Sequence, residues 1–375
     1  MTQPHHYIDG LTKTSFEQKK DAGFSATIKK RVDEYFQAKG ISRQADLLMV
    51  LKTIFYAGGT AGIYTLLLSG RLSEPAMLGM MMLYGFFLAG VGFNIGHDAI
   101  HGSYSARPWV NTLASSAFEL IGASAYTWKL RHNVIHHTYT NIIGSDGDLE
   151  SMPLLRFCVK PGLKWFHRFQ HWYAPLLYCF TSLVWVFKKD YKHILQERKE
   201  HRLGKKPPVN VYVRLIAFKL LHYTLFLILP VVVLDLAIWK TVVGFLLMHF
   251  TAGLTLSTIF QLGHCVEGTR FLPHPEKGFV EESWARHQVQ TSSNFGKDFL
   301  TTWLFGGLNF QIEHHLFPKI CHSHYPAIAK IVKKTVAEYN IPYNEFPNVF
   351  AGIRSHLRML KRIGRTDAAA LNVVT

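Results

Sequence analysis

Charge disappears from this chain in a few long windows. Residues 76–96 and 241–263 carry no Lys, Arg, Asp or Glu, while 47–70 and 215–234 carry only Lys52 and Lys219, each near the start of its run. A helix needs about 20 apolar residues to cross the hydrocarbon core, so the pattern predicts four membrane spans in two hairpins. Lys52 and Lys219 read as side chains that snorkel to the interface, and Pro230 as a kink in its span. Two further apolar stretches are less clean. Residues 108–127 include Glu119 and many small polar residues, and 172–187 is short with basic residues on both sides. Both read as helices lying in the interface, and 325–339 reads as an amphipathic helix. The expected fold is an all-α integral membrane protein, with four transmembrane helices in two hairpins, interfacial helices and a helical cytosolic cap. Its expected parts are a cytosolic segment at 1–43, the membrane domain at 44–345 and a cytosolic tail at 346–375.

Charge gives the spans a direction. The chain has 375 residues and a formal charge of +16. Residues 1–43 hold eight Lys and Arg, 97–210 fifteen and 264–375 thirteen, whereas the two outer connections hold only Arg71 and Lys240. Lys and Arg collect on the cytoplasmic side, which places both termini and the 97–210 segment inside. The same argument explains the basic balance without nucleic acid: such a face suits anionic headgroups and an acidic electron carrier. Four cysteines (158, 179, 265 and 321) form no CxxC pair, so they read as buried or idle thiols and neither a disulfide scaffold nor a zinc ribbon is indicated.

Chemistry concentrates in the histidines. The chain has 21, and three groups share a spacing: HDAIH at 97–101, HNVIHH at 132–137 and QIEHH at 311–315. Residues i and i+4 share a helix face, so His97 with His101, and His132 with His136, can aim two imidazoles at one ion. A following residue is turned by about 100°, which lets His137 and His315 serve a second ion. Seven such histidines exceed what one ion takes, so two ions are the economical reading. His97 directly follows the second span and His264 the fourth, which puts both on the cytoplasmic face. If 132–137 reaches the same site, 108–127 cannot cross. Imidazole suits Fe, Zn, Cu or Ni, and spacing does not choose among them. There is no HExxH, so a zincin protease is not indicated. Oxygen chemistry on an apolar substrate at a membrane surface favours iron. Ligating histidines lean on carboxylates, and Asp98, Asp146, Asp148, Glu267 and Glu313 lie close to these groups in sequence. His222 and His249, inside spans, read as neutral packing histidines, and Trp284 and Trp303 as interface anchors. His287, His322 and His324 fall outside the spacing and outside the metal set.

At these residues the sequence resembles the membrane fatty acid desaturases, whose three histidine boxes are HxxxH, HxxxHH and [HQ]xxHH. The likeness runs over roughly 45–345, and the order and placement of the boxes agree. The resemblance implies two iron ions (Fe2+/Fe3+) held by His97, His101, His132, His136, His137, His264, His314 and His315. Gln311 stands where some members carry another histidine, and a neutral amide there implies a supporting or water-mediated contact. The family pattern favours Asp146 and Asp148 as supporting carboxylates, with Asn309 as a further candidate. It implies O2-dependent insertion of a cis double bond into a CoA- or lipid-linked fatty-acyl chain. The glutamine in the third box resembles the front-end type. No HPGG motif of a fused cytochrome b5 occurs, which implies a separate donor, a ferredoxin or cytochrome b5 with its reductase, and a bacterial plasma membrane in preference to the endoplasmic reticulum. Two alternatives remain open at this point: hydroxylation of a lipid, sphingoid base or alkane by the same centre, and a metal-binding membrane transporter. The uncharged spans argue against the transporter.

Overall fold

All four long apolar runs fold as helix. The computed structural model describes residues 14–149, 154–158, 162–200, 206–275 and 278–366. Its four membrane-length helices are Leu47–Leu68, Glu74–His101, Val209–Leu234 and Ile238–His264. At about 1.5 Å per residue each is long enough for a core of about 30 Å. Residues 69–73 and 235–237 join them in pairs, giving two hairpins. The chain is thus an all-α integral membrane protein. Two parallel pairs of two-residue strands, Ser15–Phe16 with Phe279–Val280 and Asn294–Phe295 with Glu345–Phe346, are the strands among the described residues.

The start of the first span is set by Asp46, whose carboxylate accepts from the Met49 N–H at 3.0 Å, a standard N-cap contact. Pro230 is accommodated without breaking its helix. The turn before it, Thr224–Ile228, widens to a π-helix, whose bonds run over five residues. In that register the carbonyl left without a donor by Pro230 is that of Leu225. The Tyr64 hydroxyl donates to it at 2.5 Å. The rings of Tyr64, Tyr84 and Phe226 then meet at 5.5–5.9 Å, so three spans share one aromatic contact.

The chain divides into two compact units. One comprises Gln44–Lys129 and Leu176–Ser257; the other comprises the described residues of 8–43, 130–175 and 258–375. In the first, the snorkelling expected of Lys219 is not found. Its ammonium is buried and donates to the Asp190 carboxylate at 2.8 Å and the Gly122 carbonyl at 2.6 Å. Asp190 also accepts from the Ser124 N–H (2.9 Å), the Thr127 hydroxyl (2.6 Å) and the Trp185 ring N–H (3.0 Å). A buried charge persists when it is paired and hydrogen-bonded, and here the partner is supplied by a distant stretch of sequence. Lys52 is buried as well. Residues 108–120 form a helix of 13 residues, too short to cross, with Glu119 bound by Arg214 Nε at 2.6 and 2.8 Å. The helix expected at 172–187 is broken: Gln170–Cys179 and Thr181–Val184 are separate, with Pro175 inside the first. His222 and His249 face each other at 3.2 Å between Nε2 atoms, and their other nitrogens meet the Leu120 carbonyl and the Ser182 hydroxyl.

The second unit has a soluble-type core. Phe24, Ile28, Val32 and Phe36 recur every four residues on the helix Ala22–Lys39 and pack against Ile328, Val332 and Val336 of Tyr325–Glu338. This core also takes in Ile312 and Leu316 beside the third histidine group, while Ile135 and Tyr139 of the second pack separately with Phe16, Ile142 and Val280.

Candidate metal centre

Local backbone decides where each imidazole points. The second histidine group does not lie on an α-helix: Lys129–His136 is π-helical and only His137–Tyr139 is α. The wider turn aligns residues five apart, so His132 and His137 bring their Nε2 atoms to 3.3 Å. The expected pairing of His132 with His136 persists beside this one: their rings stack at 5.2 Å, with ligand nitrogens within 4.8 Å. His136 also faces His264, the last residue of the fourth span, with Nε2 atoms 3.3 Å apart. The third group sits on the short helix Gln311–Leu316. There His314 and His315 hold their rings nearly perpendicular. His315 Nε2 lies 3.1 Å from His264 Nε2, and the His314 ring lies 4.6 Å from that of His137.

Two triads result, His136–His264–His315 and His137–His314–His315, each with nitrogens within 4.8 Å of one another. The outer nitrogens show which atoms carry protons. His136 Nδ1 meets the Asp146 carboxylate at 3.1 Å, His264 Nδ1 the Thr291 carbonyl at 3.0 Å, and His315 Nδ1 the Gln288 amide oxygen at 2.8 Å. All three partners are acceptors, so each Nδ1 donates. In the neutral rings the three facing Nε2 atoms are then bare lone pairs. Lone pairs at 3.1–3.3 Å repel, and a cation among them removes the conflict. Two nitrogens bound to one ion at about 2.1 Å and a right angle are separated by about 3 Å, so the donor set fits a transition metal.

Electrostatics support the same centre. Burial, followed by the neighbouring histidines, pushes His315 well below its ordinary value, favouring the neutral ligand form. Burial also pulls His136 down, but the Asp146 carboxylate, joined by Asp148, outweighs it and holds the ring above its ordinary value. A metal at Nε2 satisfies the same pull that otherwise retains a proton there.

Sequence comparison identifies the family. The fatty acid desaturase family model matches residues 73–347. Two cyanobacterial proteins named sn-1 linoleoyl-lipid 6-desaturase are similar over nearly all of their length. That of Arthrospira platensis is 35% identical over 92% of this chain and 93% of its own, and that of Synechocystis 33% identical over 95% and 99%. An acyl-lipid (8-3)-desaturase from the moss Physcomitrium patens is 33% identical over 92% of this chain and 72% of its own. The chain belongs to the fatty acid desaturase family. It is therefore an oxidoreductase, and its histidine groups are compatible with the histidine boxes of that family.

The remaining candidates of this desaturase fall in distinct places. His97 and His101 end the second span with ring centroids 4.7 Å apart, sharing a face as expected, and the Asp98 carboxylate lies 3.7 Å from His97 Nδ1. Asp146 also accepts the Asn141 and Asp148 N–H groups, and the Asp148 carboxylate lies 3.6 Å from His136 Nδ1. Gln311 is buried against the turn before His264: a Cβ on Gly263 would stand 2.6 Å from its Cγ. Its amide oxygen has no hydrogen-bond partner among the described residues. Glu313, Glu267 and Asn309 brace loops. The Glu313 carboxylate accepts from Asn294 and Tyr343 (2.7 and 2.9 Å), and burial pushes it up to about 7. Glu267 accepts from Ser355 at 3.3 Å, and Asn309 donates to the Gly296 carbonyl at 2.5 Å.

Several supporting residues escaped the sequence reading. Gln288 and Thr291 hold His315 and His264, while Thr140 donates to Gln288 at 2.9 Å. Trp284 is half-buried, and its ring N–H donates to the His137 carbonyl at 3.0 Å. His287 Nε2 lies 2.8 Å from the Thr140 carbonyl. Trp284, Gln288 and Thr291 follow each other at i, i+4 and i+7 on the helix Trp284–Thr291. Thr291 acts there through its backbone carbonyl, so no side-chain pattern marks the set.

Proposed function

We propose that this desaturase inserts a cis double bond into a lipid-linked fatty-acyl chain at two iron ions held by His97, His101, His132, His136, His137, His264, His314 and His315. The observation that carries the reading is the facing of three Nε2 lone pairs in His136, His264 and His315, with each outer N–H fixed on an acceptor. His97 and His101 enter through the box pattern. The glutamine at 311 and the linoleoyl-lipid 6-desaturases among the relatives support front-end placement and a lipid-linked substrate over acyl-CoA.

Bound iron would supply the O2-dependent removal of hydrogen from unactivated carbon. In balance, adjacent methylenes lose two hydrogens, and with O2, two electrons and two protons the products are the alkene and two waters. The protein's own part is to orient and to keep dry. Asp146, Thr291 and Gln288 lock the tautomer and ring plane of their histidines, which raises ligand basicity. The near-complete burial of these side chains excludes bulk water. Electrons come from a carrier of the ferredoxin or cytochrome b5 type. The site works on the cytoplasmic face, supported by the distribution of Lys and Arg, and the cyanobacterial relatives support a bacterial plasma membrane.

Expression in a host fed defined fatty acids, followed by mapping of new double bonds in its lipids, tests the proposal. Products short of two hydrogens support it. Products carrying an added oxygen point to hydroxylation instead.

A further inference from the structure

One face of the second unit is built like a membrane-contact surface. On the turn Trp165–Phe169 and the helix that follows, Trp165, Phe169 and Trp172 recur at i, i+4 and i+7 and all stand out from the protein. Trp165 is 72% exposed and Trp172 78%. Large aromatics left this open are costly in water, yet they sit on a rigid base. Arg156 and Gln170, both fully buried, fasten this segment to the end of the helix Val349–Ile363. Arg156 Nη1 donates to the Ile363 and Thr366 carbonyls (2.5 and 2.8 Å), and Gln170 Nε2 to the Leu360 and Arg156 carbonyls (2.8 and 2.9 Å). The fit is close enough that a Cβ on Gly364 would stand 2.1 Å from the His167 carbonyl oxygen.

Cations border the aromatics. Lys164 and Arg168 belong to the same segment, with the Arg168 guanidinium over the Phe169 ring at 5.9 Å. Across the joint, the C-terminal helix exposes Arg354, Arg358, Lys361, Arg362 and, just past its end, Arg365. Lys361 and Arg365 come near enough to His171 to help depress its pKa, after burial. Neither 162–179 nor 348–366 contains an Asp or Glu. Exposed tryptophan beside Lys and Arg that make no ion pair among the described residues is the chemistry of the lipid interface: indole sits at headgroup depth and the cations meet phosphate.

We propose that this face rests on the bilayer and binds anionic phospholipid headgroups, with Trp165, Phe169 and Trp172 entering the interface and Lys164, Arg168, Lys361 and Arg365 holding phosphate. Charge complementarity and the exposed aromatic row both select lipid: an acidic protein partner accounts for the cations but leaves the tryptophans unexplained. The inference rests on the membrane location and not on the iron centre.

The test uses the full chain in vesicles of phosphatidylglycerol or phosphatidylcholine, each brominated high on the acyl chain. The fluorescence share of Trp165 and Trp172 is the difference between wild type and Trp165→Phe/Trp172→Phe. We expect that share to be quenched by bromine, more strongly in phosphatidylglycerol, and Lys361→Gln/Arg365→Gln to bring the two lipids level. Absence of quenching in both lipids puts the face in water and overturns the proposal. Equal quenching of wild type in both removes the headgroup selectivity and overturns that part. Quenching lost on adding an acidic redox protein assigns the face to protein docking and also overturns it.

Discussion

His315 is the residue on which the centre turns, because it belongs to both nitrogen triads. We expect His315→Ala to abolish bound iron and desaturated product together, measured by elemental analysis and by lipid profiling of the same cells. The acceptors behind the ligands are expected to grade the effect. Asp146→Asn and Gln288→Leu each remove the group that orients one ring, and losses of this kind cost about 10- to 100-fold in metal affinity. Iron retained under a chelator challenge reads this directly, and unchanged retention would refute the tautomer assignment. The histidines themselves were legible because their spacing is a sequence property. Their acceptors were not: Gln288 and Thr291 carry no motif, and Thr291 contributes a backbone carbonyl that any residue has.

At the scale of elements, the spans were readable from charge-free length alone, while the turns inside them were not. The π-helical stretch at Lys129–His136 adds His137 to the neighbours of His132, and hydrophobic pattern does not encode which hydrogen-bond register a helix adopts. Deleting Val134 is expected to return this turn toward α geometry, rotate His136 and His137 away and remove iron while leaving the spans folded, as seen by circular dichroism. Lys219 was misread for a related reason. Its position near a span start suggested an escape to the interface, but Asp190 is folded back onto it from another stretch. Removing one member of a buried pair costs about 3–5 kcal/mol, whereas removing both can be far milder. We therefore expect Lys219→Met to lower the melting temperature in detergent sharply and Lys219→Met/Asp190→Asn to recover part of it. A double variant no better than the single would show that the Asp190 network does not depend on the ion pair.

For the whole molecule, the two hairpins and the Lys and Arg of residues 1–43, 97–210 and 264–375 support a topology with both termini in the cytoplasm. Fusions of a reporter to either terminus are expected to report the cytoplasm, by fluorescence of green fluorescent protein and silence of alkaline phosphatase; an active phosphatase at either end would invert the orientation. Fold class was recoverable from sequence because a bilayer imposes length and polarity directly. The arrangement of the cap was not, since its core joins Phe24 to Val332 across most of the chain. The proposed activity depends on a two-iron centre held by histidine. The most direct measurement is the iron content of the purified full chain, with Mössbauer spectroscopy on 57Fe-grown protein. Two irons per chain are expected, in nitrogen-rich, magnetically coupled sites, lost in His315→Ala. A well-folded, product-forming protein with no iron, or with a different metal in its place, would contradict it.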